Sequence, residues 1–172
     1  GMNRGDSSNA HFNTFRTEFL KSYRSKPKEM EQLANGYRTE QSPVHYRLEA
    51  ANLLATLAIS QRKYPEAKVL TQSVLLDANA STYQYQNAML LNIEAMVKDS
   101  KSGAGEVDAL FVKAIALPYS ALSYRAKVYY MASEFARRQM DYRTAIKRTR
   151  DQILIAAFYE RGRLWNRIAT DF

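Results

Sequence analysis

Apolar residues recur along this chain at steps of three and four, and no stretch of four to eight residues alternates with period two. The pattern therefore predicts helices and no sheet. Phe12, Phe15, Phe19 and Tyr23, with Leu20 beside them, form one aromatic stripe on a helix over residues 10–24. Pro27 restarts the helix after Ser25-Lys26, and Met30, Leu33, Ala34 and Tyr37 continue the spacing until Gly36 loosens it. Ser42-Pro43 reads as an N-cap hydroxyl followed by proline at the first helical position. The helix it opens carries Leu48, Ala51, Leu54, Ala55, Ala58 and Ile59 on one face and ends near Arg62. Pro65 starts the next helix, with Val69, Leu70, Val74 and Leu75 toward the core. After a polar break at 77–81 comes a long helix over 82–98, bearing Ala88, Leu91, Ile93, Ala95 and Met96. Residues 100–105 are a Gly/Ser-rich loop. Val107, Leu110, Phe111, Ala114 and Ile115 mark a helix that Pro118 ends. A helix over 120–139 and a long C-terminal helix from Tyr142 onward complete an array of about seven or eight helices.

Two stretches share a grammar 78 positions apart, from Tyr64 to Tyr142. The first reads Leu54-Ala55-x-x-Ala58, then Lys63-Tyr64-Pro65-Glu66-Ala67. The second reads Ala132-Ser133-x-x-Ala136, then Asp141-Tyr142-Arg143-Thr144-Ala145. Small residues cluster on one helix, a tyrosine sits at the turn, and an alanine follows three residues later. This grammar resembles the tetratricopeptide repeat, whose period is about 34 residues, so the spacing holds two repeats with a short insertion. Helices 82–98 and 106–117 form the middle pair, with Leu91 and Ala95 at the small-and-apolar positions and Ala109 and Ala116 at the alanine positions. The resemblance covers about two-thirds of the chain, at 47–80, 84–119 and 125–157. Tryptophan and glycine are missing from the family's usual positions; Ala55, Asn92 and Ser133 stand at the close-packing one.

The resemblance implies an all-α superhelix of antiparallel, tetratricopeptide-like helix pairs that binds a protein or peptide. Its concave groove would be lined by Glu49, Asn52, Thr56 and Ile59, then Gln86, Met89, Ile93 and Met96, then Lys127, Tyr130, Glu134 and Arg137. That groove has an adaptable, methionine-lined centre and a basic end, suited to an extended or helical peptide with an acidic terminus. The aromatic helix and the C-terminal helix would cap the stack, and Trp165 and Phe172 make the C-terminal end the expected surface for a homodimer.

Composition narrows the alternatives. At 172 residues, 46% hydrophobic and 24% charged, the chain has the makeup of one globular domain. Residues 1–9 read as a flexible leader with a tag remnant at Gly1-Met2, and residues 10–172 as a single domain. The leading methionine favours a cytoplasmic protein over an exported one whose signal segment has been removed. No apolar run is long enough to span a bilayer. The absence of cysteine excludes disulfides, thiolate metal sites and cysteine nucleophiles. His11 and His45 lie on different elements without a carboxylate at ligand spacing, so neither a metal site nor a catalytic dyad is expected, and no cofactor. Glu134 is expected to pair with Arg138 one turn on. The net charge of +8 is concentrated in residues 137–172, which hold nine Lys/Arg against four acids. On the C-terminal helix Ile146, Ile153, Ala157, Leu164 and Ile168 share one stripe, and Arg143, Lys147, Arg150 and Arg161 run beside it. The alternative function is therefore binding of nucleic acid or another polyanion through that row.

Overall fold

In a computed structural model, which describes residues 4–118, 121–155 and 158–171, the chain is all-α, with no strand among the described residues. The helices are α1 (Arg4–Ser22), α2 (Pro27–Gly36), α3 (Val44–Ser60), α4 (Tyr64–Leu75), α5 (Thr82–Lys98), α6 (Ala104–Ile115), α7 (Leu122–Arg138), α8 (Tyr142–Ile155) and α9 (Phe158–Thr170). The first helix already begins at Arg4, within the stretch expected to form a leader. Helices α3, α5 and α7 are each 17 residues long and start at 44, 82 and 122, steps of 38 and 40. The chain divides into two compact units, residues 1–95 and 96–172.

In the first unit α1 packs on α2 and α3, and α3 on α4. The predicted aromatic stripe is the inner face of α1: Phe12, Phe15 and Phe19 are all buried. Phe12 stacks on Tyr46 at 4.3 Å and lies edge-on to Tyr37 at 5.0 Å, Phe15 stacks on Tyr37, and Phe19 stacks on Tyr23. Each buried Phe contributes about 2–3 kcal/mol by transfer from water, with aromatic geometry adding to it. Met30, Ala34, Leu54 and Ala58 belong to the same core. Leu48, Ala51, Val74 and Ala88 form a second cluster. Val69, expected inward, is 71% exposed, because α4 turns Ala67, Leu70, Thr71 and Val74 to the core instead.

Two sequence signals resolve differently from expectation. Ser42 is not the cap of α3: Pro43 occupies that position, no side chain caps the helix, and the Ser42 hydroxyl turns to Thr39 Oγ1 at 3.2 Å. Conversely, α5 opens on a capping box that the pattern Ser81-x-x-Gln84 announces. Ser81 Oγ accepts the Gln84 amide at 3.1 Å, and Gln84 Oε1 accepts the Ser81 amide at 3.1 Å.

In the second unit α6 packs on α7, α7 on α8 and α8 on α9. The Phe111 and Phe135 rings lie 6.1 Å apart, and Tyr124 donates its hydroxyl to Ala114 O at 3.0 Å. On α6 the buried residues are Val107, Phe111 and Ala114, whereas Ala109 and Ala116 are exposed. The expected register of that helix is therefore displaced. The C-terminal helix is two helices. On one straight helix Ile146 and Ile168 would stand about 33 Å apart. In the structure they join Ile153 and Leu164 in a single cluster, because α9 folds back on α8.

The 78-residue repeat is carried by backbone chemistry as well as by sequence. Arg62 and Met140 both take the left-handed conformation, with φ of 60° and 58°. Each closes its turn in the same way: the Lys63 amide reaches Ala58 O at 2.8 Å, and the Asp141 amide reaches Ala136 O at 2.9 Å. Such closure satisfies helix-end carbonyls that would otherwise lack donors.

Candidate partner-binding face

The expected groove positions separate into two groups. Met89 and Ile93 are wholly buried, and Asn52 and Met96 nearly so. No residue from Gln84 to Val97 is exposed, so α5 presents no open face to a partner. A helix that supplies one wall of a groove must leave a stripe uncovered, whereas the stripe expected to do so on α5, Gln86, Met89, Ile93 and Met96, is buried. Asn52 is committed internally: its amide donates to Gln84 O at 3.1 Å, while Gln84 Nε2 donates to His45 O at 3.0 Å. Thr56 is half-buried and returns its hydroxyl to Asn52 O at 3.1 Å. The methionine-lined centre of the groove is thus core.

The remaining positions lie on α7 in the second unit, where steps of three and four place Lys127, Tyr130, Glu134 and Arg137 on one face. Lys127 is exposed, Tyr130 is 46% exposed, and the other two are half-buried. Helix α9 completes this face. Arg167 lays its guanidinium over the Tyr130 ring, 4.7 Å from the centroid, and donates to Glu134 Oε1. Arg137 donates Nη1 to the same Glu134 oxygen at 3.2 Å and Nη2 to Asp171 Oδ2 at 2.8 Å. The hydrogen bond to Asp171 is the main reason the Arg137 guanidinium holds its proton more firmly than usual. Partial burial opposes this effect, and the charges of Asp171 and Glu134 reinforce it.

This network replaces the expected Glu134–Arg138 pair with Glu134–Arg137 and Glu134–Arg167. It also takes Arg137 out of the role of a waiting cation, since Arg137 already answers two carboxylates of its own chain. What stays open is the Tyr130 ring, held from one side by Arg167, and the Lys127 ammonium. Arg167 and Asp171 were not legible as members of this face, because each lies more than thirty residues from its partner on α7.

The basic row behaves differently. Arg143, Lys147 and Arg150 are all exposed on α8, and none forms an ion pair among the described residues. Arg161 belongs to α9, so it does not continue that row, and its side chain lies outside the described ones. Trp165, on the expected dimer surface, is 52% exposed, and Phe172 lies outside the described residues. His11 and His45 are both exposed. Among the described residues no three His, Cys, Asp or Glu side chains form a group that could hold a metal ion. Compared with family models, with curated proteins and with solved structures, the chain matches none of them.

Proposed function

We propose that this chain is a non-enzymatic scaffold, built from tetratricopeptide-like helix hairpins, that docks a protein or peptide on the α7–α9 face of its second unit. The observation that carries this reading is the Tyr130 ring, half-exposed yet held under the Arg167 guanidinium. Tyrosine and arginine supply a large share of interface energy, and side chains held before binding lose less entropy when a partner arrives. Lys127 beside them favours an acidic stretch in the partner. A homodimer through Trp165 and a cytoplasmic location belong to the same proposal. No helix among the described residues is long and apolar enough to cross a membrane.

The test is photo-crosslinking from position 130 in a native lysate, with Val69 in the other unit as the control position. One discrete adduct from position 130, abolished by Lys127→Glu, is expected. Equal labelling from both positions, or indifference to Lys127→Glu, sinks the reading.

A second reading, binding of nucleic acid or another polyanion, rests on the exposed Arg143, Lys147 and Arg150 of α8, none of which forms a close ion pair among the described residues. Phosphate contacts release counterions, so affinity for labelled DNA or RNA should fall steeply with salt. It should also fall when these three residues are changed together to Gln. Absence of binding at low salt removes this reading.

A further inference from the structure

A cleft of about 170 Å³ opens in the first unit between the start of α3 and the end of α4. Its apolar floor is Val44, Leu48 and Ala51, all on α3. Arg47 rises from the same helix, and Arg38 enters from the link between α2 and α3. Ser73 of α4 and Asp77 just beyond it form the opposite rim.

Three features of this cleft favour an anion. Arg47 Nε is buried and finds no hydrogen-bond acceptor. Neither Arg38 nor Arg47 takes part in an ion pair among the described residues. The first turn of α3, which begins at Val44 on the cleft wall, has no side-chain cap; the Tyr46 and Arg47 amides turn to Pro43 O at 3.0 and 3.1 Å, and the positive end of the helix dipole remains at that wall. Asp77 forms no ion pair with either arginine; its Oδ1 accepts both the amide and the side-chain Nδ2 of Asn79, at 2.8 and 3.1 Å. A buried guanidinium donor without an acceptor is costly, and an arriving anion would offset that cost.

We propose that this cleft is a binding site for a small monocarboxylate carrying a compact aliphatic body. The carboxylate meets Arg47 and Arg38 near the start of α3, and the aliphatic part lies on Val44, Leu48 and Ala51. The volume accommodates a short branched chain. Two arginines against Asp77 leave the cleft one net positive charge, which a monocarboxylate balances and a doubly charged phosphate exceeds. The site is separate from the α7–α9 face and does not depend on it.

The experiment is an NMR titration of the whole chain with isovalerate, following the Arg47 Nε–Hε resonance and the Val44 and Leu48 methyls, with inorganic phosphate at matched ionic strength as the second ligand. Saturable, concerted shifts with isovalerate, and binding of phosphate at least about tenfold weaker, are expected. Arg38→Gln changes an exposed side chain, leaves the fold intact, and should weaken isovalerate about tenfold. The proposal is overturned if isovalerate gives no saturable shift, if phosphate binds as tightly, or if Arg38→Gln leaves the titration unchanged.

Discussion

Ser133 Oγ and Thr149 Oγ1 lie 2.7 Å apart, both fully buried, where α7 packs on α8. Both hydroxyls also reach Ala145 O, at 3.2 and 2.9 Å. The positions 78 residues earlier are Ala55 and Thr71, also fully buried, and there Thr71 bonds Ala67 O at 3.0 Å. The first hairpin therefore holds the same close approach without the serine. Ser133→Ala should consequently cost no more than about 1 kcal/mol in urea unfolding, because Thr149 keeps its carbonyl. Ser133→Leu forces a large side chain into the contact and should cost about 2–3 kcal/mol. Equal losses for the two variants would contradict a close-packed crossing.

The left-handed turn residues make a prediction of opposite sign. Met140 has φ of 58° and is 77% exposed, so its backbone bears strain while its side chain packs little. Met140→Gly should raise stability by about 0.5–1 kcal/mol, after the entropy of glycine in the unfolded chain offsets part of the relief. Met140→Ile should lower it. Thermal unfolding of both variants decides, and a lower melting temperature for the glycine variant counts against this turn geometry.

Asp141 caps α8 by accepting the Thr144 amide on Oδ1 at 3.1 Å. That bonding, first from the Thr144 side chain and then from its backbone, holds the Asp141 carboxyl below the ordinary aspartate value, with Arg143 adding to the effect. A carboxyl whose folded value is depressed contributes stability above its unfolded value and loses it as pH falls through the folded one. Exchange of the Thr144 amide should therefore lose protection in acid, below the usual aspartate range. Asp141→Asn should retain protection across that window, and Asp141→Ala should lack it at every pH. A flat profile in the native protein would show that the cap does not act through its charge.

Met89 and Ile93, read from sequence as an open groove, are core residues. Met89→Asp or Ile93→Asp should cost more than about 3 kcal/mol or abolish folding, since a carboxylate would be buried without a partner. Tyr130→Ala, on the exposed face, should stay within about 1 kcal/mol of the native protein. Circular dichroism with urea titration separates these outcomes. A stable, folded Met89→Asp protein would restore the groove.

The helical character of the chain, the inner face of α1 and the duplicated hairpins were all legible in the sequence. They depend on contacts three and four residues apart, or on a turn that closes within six. Gly36, Pro27 and Pro65 marked boundaries because their restrictions are local. The capping box at Ser81 and Gln84 was equally local and was there to be found. The cleft at Arg38 and Arg47 carried no such mark, because its walls come from three separate segments.

What only the tertiary structure decided is which faces meet. The stripe from Ile146 to Ile168 suits one long helix as well as two, since periodicity is blind to a break that preserves its phase. Folding α9 back on α8 gathers the stripe into one cluster and puts Arg161 on a different helix from Arg143, Lys147 and Arg150. Likewise Arg137 had an acid within one turn, and the pattern did not show that Asp171, thirty-four residues on, would supply its second carboxylate. Local spacing determines that a residue lies on a helix and which neighbours share its face. Whether that face is groove or core depends on what the rest of the chain lays across it, and that is a matter of long-range packing free energy, which short-range periodicity does not encode.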